Sequence, residues 1–161
     1  MTVTRDRLAI EGGTPVRDTL LPYGRHTVEK EDIEAVAGVL RSSWLTTGPT
    51  VEAFEADLCK AAGAPFGVAV NSGTAALHTM LASLGLNHGD EVIVPAITFA
   101  ATANAALYVG AKPVFADVHP GTLLIDPDSV ERAITPRTAA VVAVDFAINP
   151  QKYSTPVLRI L

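Results

Sequence analysis

Cysteine occurs once in the 161 residues, at Cys59, so the chain closes no disulfide on itself and builds no multi-thiolate metal site alone. A reducing cytoplasm is the expected setting. Basic residues are in deficit: 12 Lys and Arg stand against 17 Asp and Glu, a formal charge of -5, and they are scattered along the chain. No basic face is available for nucleic acid. Long hydrophobic runs are missing as well. Thr4-Arg5-Asp6-Arg7 precedes no extended apolar stretch and later ones are broken by polar residues, which predicts neither export nor membrane insertion. The four histidines, His26, His78, His88 and His119, lack metal-ligand spacing, and no Gly-x-Gly-x-x-Gly or Gly-Lys-Thr occurs. Metal, dinucleotide and nucleoside-triphosphate sites of the usual kinds have no support.

What is present fits one globular domain, with 48% hydrophobic and 18% charged residues. Thr27 to Leu40 reads as a helix, with Thr27 as N-cap, acidic residues in the first turn and Ile33, Val36, Ala37 and Leu40 as its apolar stripe. A second helix follows Gly48-Pro49, carries Val51, Phe54, Glu55 and Leu58 at helical spacing, and ends at Gly63 and Pro65. Then the period changes. Short apolar runs at 66–70, 91–94, 112–116 and 139–144 alternate with helical patterns at 74–85, 98–109 and 127–134, the last capped by Asp126 with Pro127 in its first turn. Strands separated by helices predict an α/β fold with a largely parallel sheet. Ligands in such sheets gather beyond the carboxyl ends of the strands, which singles out Asn71 to Thr74, Pro95 to Phe99 and the segment after Val144 and Asp145.

The octapeptide Asn71-Ser72-Gly73-Thr74-Ala75-Ala76-Leu77-His78 is the most informative of these. It stands at a strand-to-helix junction, where the first helical N–H groups lack internal partners and carry the positive end of the dipole. Gly73 permits close backbone approach and Thr74 adds a hydroxyl, so the turn reads as a phosphate cradle. The competing reading is an ordinary turn with an N-cap. Phe99 could stack on an aromatic ligand near that cradle, and packing in the core is the competing reading there.

Taken together, WLTTGPTVEAFE (44–55), NSGTAALH (71–78), GDEVIVPAITFAATANAALYVGAKPVFADV (89–118) and IDPDSVERAITPRT (125–138) resemble the DegT/DnrJ/EryC1/StrS family, in its order and spacing, from about residue 8 to about 147. The resemblance implies a sugar aminotransferase that uses pyridoxal 5′-phosphate. It implies an incomplete, mostly parallel sheet with flanking helices: the N-terminal portion of the large domain of a fold type I transferase of the aspartate aminotransferase superfamily. It assigns Gly73 and Thr74 to the cofactor phosphate, with Ser72 shaping the turn, and Phe99 to stacking on the pyridine ring. Thr46, Thr47 and Gly48 resemble the stretch at the active-site mouth, where substrate or a neighbouring subunit is contacted; a helix-entry turn explains Gly48-Pro49 equally. Asp117 matches a family position, with a solvated loop carboxylate as the favoured role, and Asp126 caps.

Two parts of the family's machinery have no counterpart: an acidic residue on the pyridine nitrogen in an Asp-Ala-Ala-like segment, and the Schiff-base lysine beyond it. Lys30, Lys60 and Lys112 fall at helix or strand-flanking positions, and Lys152 comes too early. No catalytic residue is therefore assigned. Residues 1–147 read as a leader and a partial cofactor-binding domain. Residues 148–161 read as a tail foreign to the family, with a frameshift favoured as its cause and an evolved short ending as the alternative. The family reaction would move an amino group, from glutamate, to a keto-sugar nucleotide in a homodimer; members acting as sugar dehydratases are not distinguished. This chain alone is expected to be inactive. The alternative is a noncatalytic phosphate-ligand or interaction module that associates with an intact homologue. An open sheet without its later strands predicts poor solubility.

Overall fold

Glu91-Val92-Ile93-Val94-Pro95 forms the central strand β1, and its run of apolar residues is what a strand covered on both faces requires. The computed structural model describes residues 7–22, 24 and 26–146. The strands β2 (Lys112–Ala116) and β3 (Thr138–Val141) flank β1 in the order β2-β1-β3, both parallel to it. Parallel neighbours need crossovers, and two helices supply them: α4 (Ala100–Tyr108) joins β1 to β2, and α5 (Pro127–Ala133) joins β2 to β3 across β1. Crossovers of one hand that run in opposite directions along the sheet, β1 to β2 and β2 back to β3, place their helices on opposite faces. The core divides accordingly. Val92 and Val94 pack with Leu81, Ala105, Ala106, Ala140 and Val142. Ile93 packs on the other face with Ala116, Ile125, Val130 and Ala133. Ala105 and Ala106 are fully buried, and their small side chains let α4 lie close against the sheet.

Earlier in the chain come a 3-10 turn (Ala9–Glu11), α1 (Lys30–Arg41), α2 (Pro49–Ala62) and α3 (Gly73–Ala82). Two compact units divide within α2, between Glu52 and Ala53. In the first unit, Ile33, Val36 and Leu40 of α1 are exposed, so the amphipathic stripe stands uncovered. The second unit holds the sheet, α3, α4 and α5, with α3 packed against α4. Among the described residues no helix is long and apolar enough to cross a membrane.

Three boundary expectations are corrected. Thr27 does not cap α1: Glu29 occupies the N-cap position, its N–H donating to the Asp32 carboxylate at 2.8 Å, because a carboxylate one turn on secures the later start. Residues 66–70 form no strand. A strand exists only by ladder pairing, and among the described residues this run finds no partner strand; Ala69 N–H donates instead to Glu55 Oε1 of α2 at 2.8 Å. Strand β3 stops at Val141 rather than 144, although Val142 N–H still donates to the Ile93 carbonyl at 2.8 Å. The proposed tail at 148–161 lies outside the described residues.

Candidate functional site

The turn before α3 is built by Ser72. Its extended backbone, φ -163 and ψ 158, stands at the N-cap, and its Oγ accepts from Ala75 N–H at 3.2 Å while its carbonyl accepts from Ala76 N–H at 3.0 Å. The N–H groups of Gly73 and Thr74, next in line, have no acceptor among the described residues, and neither does the half-buried Thr74 hydroxyl a partner. A Cβ placed on Gly73 would meet nothing within 4 Å. The backbone there faces open space, with two unpaired donors and a hydroxyl at the positive end of a helix. That donor set fits a phosphate monoester.

The second component is Phe99, at the N-cap position of α4 and just beyond the carboxyl end of β1. Phe99 is 78% exposed, so it takes no part in the core of the described residues. Phe99 gives α4 no side-chain cap, so this helix N-terminus is also open. The helices that carry the turn and Phe99 pack side by side, and the rings of His78 and Tyr108 meet between them at 5.3 Å between centroids, tilted by 57°. The third loop, after Val144, runs to exposed Asp145 at the edge of the described residues.

Thr46, Thr47 and Gly48 belong to the first unit. Thr47 adopts φ 47, a left-handed conformation unusual for a β-branched residue. Gly48 is buried, and a Cβ there would lie 2.7 Å from Trp44 Cβ, so packing on Trp44 requires the glycine. Asp117 serves the loop's own backbone. Its Oδ1 accepts from Val118 N–H at 2.8 Å, its carbonyl accepts from Asp126 N–H at 2.9 Å, and its N–H donates to Ser129 Oγ at 2.8 Å. Asp126 caps α5, accepting from Asp128 N–H at 3.2 Å, with Arg132 at 3.9 Å.

The described lysines are occupied elsewhere. Lys30 pairs with Glu34 along α1 at 3.4 Å, Lys60 lies in the last turn of α2, and Lys112 lies 3.8 Å from Glu91 at the amino end of the sheet. Lys152 is outside the described residues. The Glu91 cluster itself escapes sequence reasoning, since a lone acid before an apolar run carries no motif. Its buried carboxylate accepts from the Thr135 hydroxyl at 2.6 Å and from Arg137 Nη2 at 2.9 Å, and these bonds, Thr135 first, hold its pKa below the ordinary carboxylate value. At the amino end of β1 it locks the α5-to-β3 connection onto the sheet. A second feature, the Thr98 and Thr102 hydroxyl pair at 2.8 Å, was legible only as an i, i+4 spacing.

The model of the DegT/DnrJ/EryC1/StrS aminotransferase family matches residues 26–152. The chain is 48% identical over 130 residues to the spore coat polysaccharide biosynthesis protein SpsC of Bacillus subtilis, covering 81% of this chain and 33% of SpsC. It is similar to the putative sugar aminotransferase Spr1654 of Streptococcus pneumoniae in its PMP form, with a TM-score of 0.77 and 37% identity over 82% of this chain and 33% of the other. GDP-4-keto-6-deoxy-D-mannose-3-dehydratase of E. coli with bound hydrated PLP gives a TM-score of 0.70 and 32% identity over 76% of this chain and 33% of the other. The chain thus spans about a third of the length of these relatives.

Proposed function

Because the chain belongs to the DegT/DnrJ/EryC1/StrS aminotransferase family, we propose that its Ser72–Thr74 turn and Phe99 form the phosphate-holding and ring-stacking part of a pyridoxal-phosphate site. One observation carries the reading: the Gly73 and Thr74 N–H groups are unpaired beneath open space, on a helix packed beside the one that presents an exposed Phe99. Gly73 and Thr74 would hold the phosphate by backbone N–H and hydroxyl donation, Ser72 would keep the turn in place through Ala75, and Phe99 would cover one ring face and exclude water from it. When bound, pyridoxal phosphate supplies the carbonyl and electron-withdrawing ring through which an amino group passes from a donor, here glutamate, to a keto-sugar nucleotide. Thr46 and Thr47 would contact substrate or a neighbouring subunit.

In this reading residues 1–147 are a leader and part of the cofactor domain; the family match runs on to residue 152, five residues into the expected tail. The setting is cytoplasmic and the complete relative a homodimer. None of Lys30, Lys60 or Lys112 stands at the turn or beside Phe99 along the chain, so the 161 residues by themselves bind without turning over. Pyridoxal phosphate added with borohydride, followed by peptide mapping, tests this: labelling spread over exposed lysines is expected, and a single stoichiometric adduct on Lys152 would revive catalysis by this chain. A second reading, an interaction module that associates with an intact homologue, is favoured by the exposed Ile33, Val36 and Leu40 stripe of α1. Co-purification of this chain with a full-length relative, lost on placing Lys at Ile33 and Val36, would support it.

A further inference from the structure

The loop that leaves β1 is pinned at two places. Ala96 donates its N–H to the Ala116 carbonyl at 2.8 Å, tying the loop's start to β2, and the hydroxyls of Thr98 and Thr102 meet at 2.8 Å. Thr102 stands in the first turn of α4 on the face turned to the sheet, with Ala101, Ala105 and Ala106, and is 4% exposed. A polar residue among buried alanines needs a partner for its hydroxyl. The Thr98 hydroxyl is the one recorded for it among the described residues. Unequal burial sets the direction of the bond: Thr98 is the less buried of the two, and a Thr102 that only accepted would leave its own proton buried and unpaired. Thr102 therefore donates and Thr98 accepts.

Phe99 stands between these pins. With Phe99 78% exposed, no packing holds its ring; the backbone, at φ -71 and ψ 139, sets the direction of the Cα–Cβ bond from which the ring projects. Thr102 holds this segment at two points: its N–H donates to the Phe99 carbonyl at 3.0 Å, and its hydroxyl pairs with the side-chain hydroxyl of the preceding residue, Thr98. We infer that Thr102 is a positioning residue: acting through Thr98, it holds the Phe99 peptide and so steadies the direction in which the Phe99 side chain leaves the backbone. The restraint stands on the geometry above, and its use in aiming a stacking platform rests on the cofactor reading.

The test makes position 99 the sole tryptophan. Trp44 is the one tryptophan, so a chain carrying Trp44→Phe and Phe99→Trp reports, by time-resolved anisotropy, how freely the indole at position 99 moves on the nanosecond scale. Adding Thr102→Val keeps the shape and removes the donor; the fast-decaying part of the anisotropy should at least double, and Thr102→Ser should restore the parent value. Unchanged anisotropy with unchanged helical circular dichroism overturns the inference. If Thr102→Val loses its helical signal, Thr98→Val breaks the same bond from the less buried side, and an indole no more mobile there than in the parent overturns it equally. Pyridoxamine 5′-phosphate titrated into the parent separates the two claims. Absence of any emission change would count against the cofactor reading and leave the anisotropy result standing.

Discussion

Gly73 is a residue that the protein's own packing does not demand. Its φ is not positive, a Cβ there would touch nothing within 4 Å, and as the first residue of α3 it costs helix stability relative to alanine. On the cofactor reading, a ligand brought against the backbone is what requires it. Gly73→Ala should leave the fold as stable or raise its stability by about 0.5–1 kcal/mol, read from urea unfolding, while weakening pyridoxamine 5′-phosphate binding roughly tenfold or more. Thr74→Ala should weaken the same binding by about 0.5–1.5 kcal/mol through loss of one hydrogen bond. If both variants bind as the parent does, the cradle is only a turn. Gly48 is the opposite case, because the Cβ of Gly48→Ala would sit 2.7 Å from Trp44 Cβ. That substitution should cost about 1–3 kcal/mol of stability by overpacking, followed by Trp44 emission during urea unfolding.

Among the elements, β1 has the largest share in holding the second unit together. Ile93 is fully buried on the α5 face, so Ile93→Ala should destabilise by about 2–5 kcal/mol, seen as a lower urea midpoint. The sheet order was not legible in the sequence, but the alternation of strand and helix from 91 to 133 was, because each of those segments has its own period and its own caps. Residues 66–70 show where such reading stops. Phe66, Val68 and Val70 alternate as a strand should and lie exposed, yet ladder hydrogen bonds come from a partner that no local pattern contains. The start of α1 shows the same limit on a smaller scale: Thr27 is of the residue type that caps helices, and the bond from Glu29 N–H to Asp32 starts the helix later.

For the molecule as a whole, the Glu91 cluster sets an acid limit. The folded state holds this carboxylate below its ordinary value of 4.5, mainly through Thr135 and Arg137, so the folded protein binds fewer protons here than the unfolded chain. The stability from Glu91 is therefore fully present above that ordinary value and is lost as pH falls through the folded pKa. Urea midpoints taken from about pH 6 to about pH 3 should fall for the parent and fall less for Glu91→Gln, which starts lower at neutral pH. Equal slopes would mean that other carboxylates govern acid unfolding. The exposed apolar residues bear on association. Ile33, Val36, Leu40, Trp44 and Phe66 are each at least 60% exposed. Sedimentation should show concentration-dependent association of this chain expressed alone, whereas a sharp, reversible, monomeric unfolding transition would contradict it.

Sequence alone determined the α/β class, the helix cap at Asp126 and the family, since these depend on residues close together or on motifs in order. It also offered Ser72, Gly73 and Thr74 as a candidate cradle, because that motif is local, and Phe99 through the family resemblance. Tertiary structure alone decided that Phe99 is exposed rather than core, that β1 is central, that 66–70 lacks a ladder, and that Glu91, Thr135 and Arg137 converge across more than forty residues. Burial and pairing are relations between distant segments, and only folding brings those segments into contact.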